Sequence, residues 1–169
     1  DYVKNIHDEG HTVALHSNTH SYKQIYTSTD AFFQDLETIR SRVEAITGEK
    51  TVLMRFPGGS SNTVSKSYCA GVMTELTRMV EERGYFYFDW NVDSGDASGN
   101  NIPASKLVGH IKALDYNQYG DICVLCHDAA AKSTTVEALP EMIEYLSAQG
   151  YVFEGLTPSS RGFHQGVNN

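Results

Sequence analysis

The segment Gly10–His20, GHTVALHSNTH, sets the fold class. Upstream of it Val3 and Ile6 share a helical spacing. Gly10 ends that helix, because glycine readily takes the left-handed conformation in which helices close. Thr12 to His16 then reads as a short strand, and the polar turn beyond His16 leads into a second amphipathic run. Helix, strand and helix in direct succession form the repeating unit of an α/β sheet.

The same alternation continues to the end of the chain. Asp30 is the expected cap of a long helix with the apolar stripe Phe32, Leu36, Ile39, Val43 and Ile46, ended by Gly48. Val52 to Phe56 is the next strand. A helix through Val72, Leu76, Met79 and Val80 stops at Gly84, ahead of a strand from Tyr85 to Asp89. Pro103 suits the first turn of a helix through Leu107 and Ile111. Asp121 to His127 is a buried strand, followed by a helix containing Leu139, Ile143 and Leu146, and by a last strand from Tyr151 to Phe153. Five strands alternating with helices predict a mainly parallel sheet. The pattern opens on a helix, whereas a barrel of this kind needs more strands in front. No repeat, low-complexity tract or linker interrupts it, so residues 1–169 read as one domain.

Composition excludes several classes of function. The chain has 169 residues, 40% hydrophobic and 20% charged, which is ordinary for a globular domain. Its formal net charge of −8 opposes a nucleic-acid partner, since phosphate recognition needs a basic patch. No apolar run is long enough to span a bilayer. Cys69, Cys123 and Cys126 describe no disulfide framework. Cys123 and Cys126 are three apart on a strand and therefore point to opposite faces, so they are expected to be buried small hydrophobes.

In parallel α/β folds, functional groups gather at the carboxyl ends of strands. Here those ends carry His16-Ser17-Asn18-Thr19-His20, then Arg55-Phe56-Pro57-Gly58-Gly59-Ser60, then Trp90-Asn91-Val92-Asp93-Ser94-Gly95-Asp96, and finally Leu125-Cys126-His127-Asp128. His16 and His20 have the four-residue spacing at which two imidazoles converge on one divalent cation. Two exposed histidines in a turn would look the same. Arg55 ends an apolar strand, where a guanidinium is costly unless it meets a carboxylate. A structural ion pair would satisfy it equally well. Pro57-Gly58-Gly59 lets backbone N–H groups approach a ligand as oxyanion donors, though a plain tight turn uses the same residues. Asp93 and Asp96 sit in a turn-forming loop, and one of them is expected to do no more than form the turn. Strand period puts Leu125 and His127 on one face and Asp128 on the other. A carboxylate from another strand end must therefore orient His127, and Asp96 is the choice.

Together the H-S-x-x-H, R-x-P-G-G, D-x-x-D and L-x-H-D segments resemble the polysaccharide deacetylase family, also called NodB-homology domains or carbohydrate esterase family 4. The resemblance runs from Gly10 to the last strand. It implies a distorted (β/α) barrel of seven strands with the first strands missing from this chain. It makes His16 and His20 two ligands of a divalent metal, zinc first, with cobalt, nickel or another first-row ion as alternatives. Arg55 would position a catalytic aspartate, Asp96 would tune the general acid His127, and Leu125 would line the pocket for the acetyl methyl group. Pro57, Gly58, Gly59, Trp90 and Asp93 fall among the implied substrate contacts. Two departures stand out. The family's opening T-F-D-D-G segment, source of the base and of a third metal ligand, has no counterpart, and neither Asp1, Asp8 nor Asp30 sits in a matching context. Ala97 stands where many members have Trp, and Gly58 where an aromatic is frequent, which alters the expected sugar groove.

The activity so implied is metal-assisted hydrolysis of acetyl groups on a polysaccharide, acting on C–N bonds of an N-acetylglucosamine-type glycan such as peptidoglycan or chitin, or on the esters of an O-acetylated one. The resemblance also implies an extracellular or cell-envelope location. A non-catalytic carbohydrate-binding module with a residual metal site is the alternative. A flavodoxin-like ligand-binding domain would explain the αβ alternation but not the four strand-end motifs.

Overall fold

The computed structural model describes residues 2–169, which leaves Asp1 outside the description. The chain is α/β, and it divides into two compact units. The first comprises Asp1–Asp89 with Gly155–Asn169, and the second Trp90–Glu154.

In the first unit, α1 (Tyr2–Asp8), α2 (Tyr22–Ile25), α3 (Thr29–Thr47) and α4 (Val72–Glu82) surround a minimal ladder. Strand β1 (Leu53–Met54) runs parallel to β2 (Phe86–Tyr87), with Leu53 opposite Phe86. Leu15 adds a parallel bridge to Met54 on the other side, through Leu15 N to Leu53 O (2.8 Å) and Arg55 N to Leu15 O (2.9 Å). The expected strand Thr12–His16 therefore shrinks to that bridge. Packing around it accounts for the core: Leu15, Met54, Phe56, Leu36, Met73, Leu76 and Tyr87 are all buried in one cluster. Ser28, rather than Asp30, caps α3, because its hydroxyl accepts from Ala31 N (3.1 Å). Asp30 instead lies in the first turn, where an acid favours the helix dipole. The tail Gly155–Asn169 belongs to this unit; Asp89 N donates to Phe163 O, and His164 stacks on Tyr87 at 3.9 Å.

In the second unit, β3 (Val92–Asp93) pairs in parallel with β4 (Val124–Leu125), Asp93 opposite Leu125. Sequence reading took Val92 and Asp93 for a loop. Helices α5 (Ala104–Lys112) and α6 (Ser133–Ala148) pack together on them, burying Val92, Leu107, Val108, Ile111, Ala138, Met142 and Leu146. Two expectations fail here. Leu139 and Ile143 lie on the exposed side of α6 with Val136, and only Leu146 of the expected stripe is buried. Tyr151 to Phe153 forms no strand; Val152 is 83% exposed. Cys123 and Cys126, expected to be buried, are half-buried. Among the described residues no helix is long and apolar enough to cross a membrane.

Candidate functional site

In the first unit the chain leaves the Leu15 bridge directly into the histidine loop. The His16 and His20 rings lie 5.0 Å apart between centroids, tilted by 58°. His16 Nδ1 is 2.9 Å from Arg55 O. A carbonyl can only accept, so Nδ1 carries the proton and the lone pair is on Nε2, as in a metal-ligating histidine whose other ring nitrogen is tied to a backbone carbonyl. Both residues are exposed. His20 (φ 52°) and Ser17 (φ 97°) adopt the left-handed conformation, which side chains resist. The loop is gathered on one carboxylate, Asp35 of α3, which accepts from Ser17 Oγ, Asn18 N, and Thr19 N and Oγ1. Burial pushes the Asp35 carboxyl up, but these donors outweigh it and hold it below the usual range.

Two nitrogen donors at this spacing fit a divalent cation. Among the described residues no group of three His, Cys, Asp or Glu side chains could complete its shell.

Beyond β1, Phe56 to Gly59 is a type II turn, closed by Gly59 N to Phe56 O at 2.8 Å. Pro57 fits the second position, and Gly58, at φ +80°, fits the third. A Cβ on Gly58 would stand 2.3 Å from Tyr22 Oη. Tyr22 therefore already fills the space beside the turn where an aromatic at 58 was expected. The oxyanion reading narrows as well. Gly59 N is spent on the turn and Ser60 N on Asp89 Oδ1 (2.8 Å), whereas Gly58 N makes no hydrogen bond among the described residues. Asp89, 1% exposed, also accepts from Ser60 Oγ and from Gln165 N (2.9 Å), and so fixes the whole turn. Arg55 is half-buried and forms no ion pair among the described residues.

In the second unit Asp96 and His127 meet. Asp96 is 1% exposed, and its Oδ1 lies 2.8 Å from His127 Nδ1. Its Oδ2 accepts from His127 N (2.7 Å) and Thr135 Oγ1 (3.0 Å). Lys132 Nζ donates to the Asp96 carbonyl and to Gly99 O, 2.6 Å each, which secures the loop. Burial raises the Asp96 carboxyl, yet the donors from His127 and Thr135 prevail and keep it below its ordinary value. The His127 side chain is 40% exposed, so it is no core histidine. Leu125, two residues earlier, is buried at 7% exposure. Asp93 spends Oδ1 on Gly95 N (2.8 Å), making it the turn former of the pair. Trp90 is half-buried.

The histidine pair and glycine turn of the first unit, and in the second a buried carboxylate holding a solvent-reaching imidazole, carry the segments by which the sequence resembles one family. The family model described as polysaccharide deacetylase matches residues 1–72. The catalytic domain of peptidoglycan N-acetylglucosamine deacetylase from Eubacterium rectale superposes with a TM-score of 0.93 at 45% identity, covering 99% of this chain and 75% of that one. The chain belongs to the polysaccharide deacetylase family. A polysaccharide deacetylase from Bacillus cereus superposes at TM-score 0.74 and 27% identity, covering 98% of this chain and 75% of that one. Peptidoglycan-N-acetylglucosamine deacetylase of Bacillus cereus is 29% identical over 156 residues, which are 91% of this chain and 53% of that protein. The chain thus spans about half the length of the curated relatives it matches.

Sequence reasoning missed Asp35 and Asp89. Asp89 had a readable signal, since an acid closing the apolar run Tyr85 to Phe88 needs donors just as Arg55 needs an acceptor. Asp35 had none, because a helix acid next to apolar positions normally belongs to a solvated face.

Proposed function

We propose that this domain removes acetyl groups from an N-acetylglucosamine-containing glycan, peptidoglycan before chitin, by hydrolysis that depends on a divalent cation. The observation that carries the proposal is the Asp96–His127 couple, a buried carboxylate fixing an exposed imidazole by both its ring and its backbone N–H. Peptidoglycan comes first because the Eubacterium rectale and Bacillus cereus relatives are named for it. Such a substrate fits an extracellular or cell-envelope place of action.

His16 and His20 would hold the cation, zinc by preference or cobalt or nickel. When bound, it supplies Lewis-acid polarisation of the acetyl carbonyl and of a water. Gly58 N–H serves as the backbone donor to the developing oxyanion. With the His127 Nδ1 proton held on Asp96, Nε2 is the atom that delivers a proton to the departing amine or alkoxide. Leu125 takes the acetyl methyl, while Trp90, Asp93 and Pro57 are assigned to sugar contacts. Arg55 positions the carboxylate that acts as base, a group supplied by none of the described residues in this reading.

A second reading, glycan binding without catalysis, is favoured by the absence of a three-residue metal group among the described residues. Acetate release from acetylated chitooligosaccharides and from peptidoglycan separates the two. It should be measured on the domain in its natural sequence context, with and without chelator. Chelator-sensitive release supports hydrolysis, and saturable glycan binding with no release under either condition replaces it with the binding module.

A further inference from the structure

We infer that Asp35 is the positioning residue that holds the His16–His20 loop in its cation-ready shape; this rests on the reading of those histidines as ligands. Three consecutive residues between the histidines place four donors on its carboxylate: Ser17 Oγ at 2.6 Å, Asn18 N at 2.8 Å, Thr19 N at 3.0 Å and Thr19 Oγ1 at 2.9 Å. A carboxylate is an acceptor only, with about four lone-pair sites, so this set uses its capacity. Ser17 has one hydroxyl proton and gives it to Asp35. Its lone pair is thereby turned to His20 N, which donates to it at 2.9 Å. The clamp thus reaches the second histidine through one hydroxyl.

The backbone shows what the clamp opposes. Ser17 at φ 97° and His20 at φ 52° occupy left-handed conformations that side chains resist and that persist only when their surroundings over-determine them. Asp35 can impose them because α3 is anchored, with Ser28 capping its start and Phe32, Phe33 and Leu36 buried on either side of Asp35. His16 is held separately, through Nδ1 on Arg55 O. Losing the Asp35 clamp would release His20 while His16 stays in place, and the 5.0 Å pairing of the rings would be lost.

The test is titration of the chain with cobalt(II), followed by calorimetry and by visible absorption, for the unsubstituted protein and for Asp35→Asn, Ser17→Ala, their double variant and His16→Ala. Asp35→Asn should weaken cobalt binding about 10–100-fold, the usual worth of a residue that orients a metal ligand. Ser17→Ala should do likewise, and the double variant should be no weaker than the worse single one, since both cut one chain of bonds. The d–d spectrum of whatever cobalt still binds should shift. Lower melting temperatures with unchanged affinity and spectrum in Asp35→Asn and Ser17→Ala would overturn the inference, leaving Asp35 a purely structural acid. In that case a loss of binding in His16→Ala alone keeps the histidine reading standing. Identical cobalt binding by His16→Ala and the unsubstituted chain would remove the histidine reading, and the inference with it.

Discussion

Asp96 grips His127 at two points, accepting the ring Nδ1–H at 2.8 Å on one oxygen and the backbone N–H at 2.7 Å on the other. One carboxylate therefore sets both where the residue sits and how its ring is turned. Thr135 fills a further lone pair, which leaves the acid satisfied although it is buried.

That arrangement predicts a second unit that loses stability in acid. The folded carboxyl lies below its unfolded value, so its contribution is present above the ordinary aspartate range and disappears as pH falls through the depressed folded value. Asp96→Asn should cost about 1–3 kcal/mol at neutral pH, the penalty for disturbing a buried charged acceptor. Thermal melts of both proteins from pH 7 to pH 3 should show the gap narrowing at the acid end. A gap of constant size would mean that the carboxylate's charge contributes nothing.

Gly58→Ala should be harmful for two separable reasons, the positive φ and the hydroxyl of Tyr22 at 2.3 Å from the new Cβ. We expect a loss of roughly 1–2 kcal/mol from the backbone conformation alone, with more from the clash. Placing Gly58→Ala in a Tyr22→Phe background should recover part of the loss, a coupling that a double-mutant cycle measures. Strict additivity would show that Tyr22 moves aside without cost.

Asp89→Ala should loosen the turn after β1, because Ser60 N and Gln165 N would both lose a buried acceptor. A destabilisation of about 1–3 kcal/mol or more is expected, read by denaturant unfolding. Faster amide exchange at Ser60 and Gln165 should accompany it. Unchanged protection at both amides would contradict the role given to Asp89.

The helices were legible because their apolar stripes and glycine ends are local signals. For α3 the spacing of Phe32, Leu36 and Val43 and the stop at Gly48 sufficed, and only the cap moved, from Asp30 to Ser28. Strands were less legible, because each ladder is two residues long and depends on partners far away in sequence. Val92 and Asp93 lie among turn-forming residues and become a strand only through β4. Tyr151 to Phe153 has strand composition and no partner strand among the described residues. At the site, strand period spoke only against Asp128 and left Asp96 as a choice; β4 ends at Leu125, so His127 stands beyond the strand and is held by Asp96 through the loop. The Asp35 clamp was invisible, since it joins a loop to a helix through backbone N–H groups, which every residue type but proline carries alike.

The proton donor is the most exposed element of the proposed chemistry. In the domain's natural sequence context, kcat for acetate release should be compared between the unsubstituted protein and His127→Ala, with bound metal and melting temperature measured on the same samples. A fall of roughly 10²–10⁴ with metal content retained and the protein folded is the expected result. Near-normal turnover in a folded, metal-loaded His127→Ala protein would contradict it.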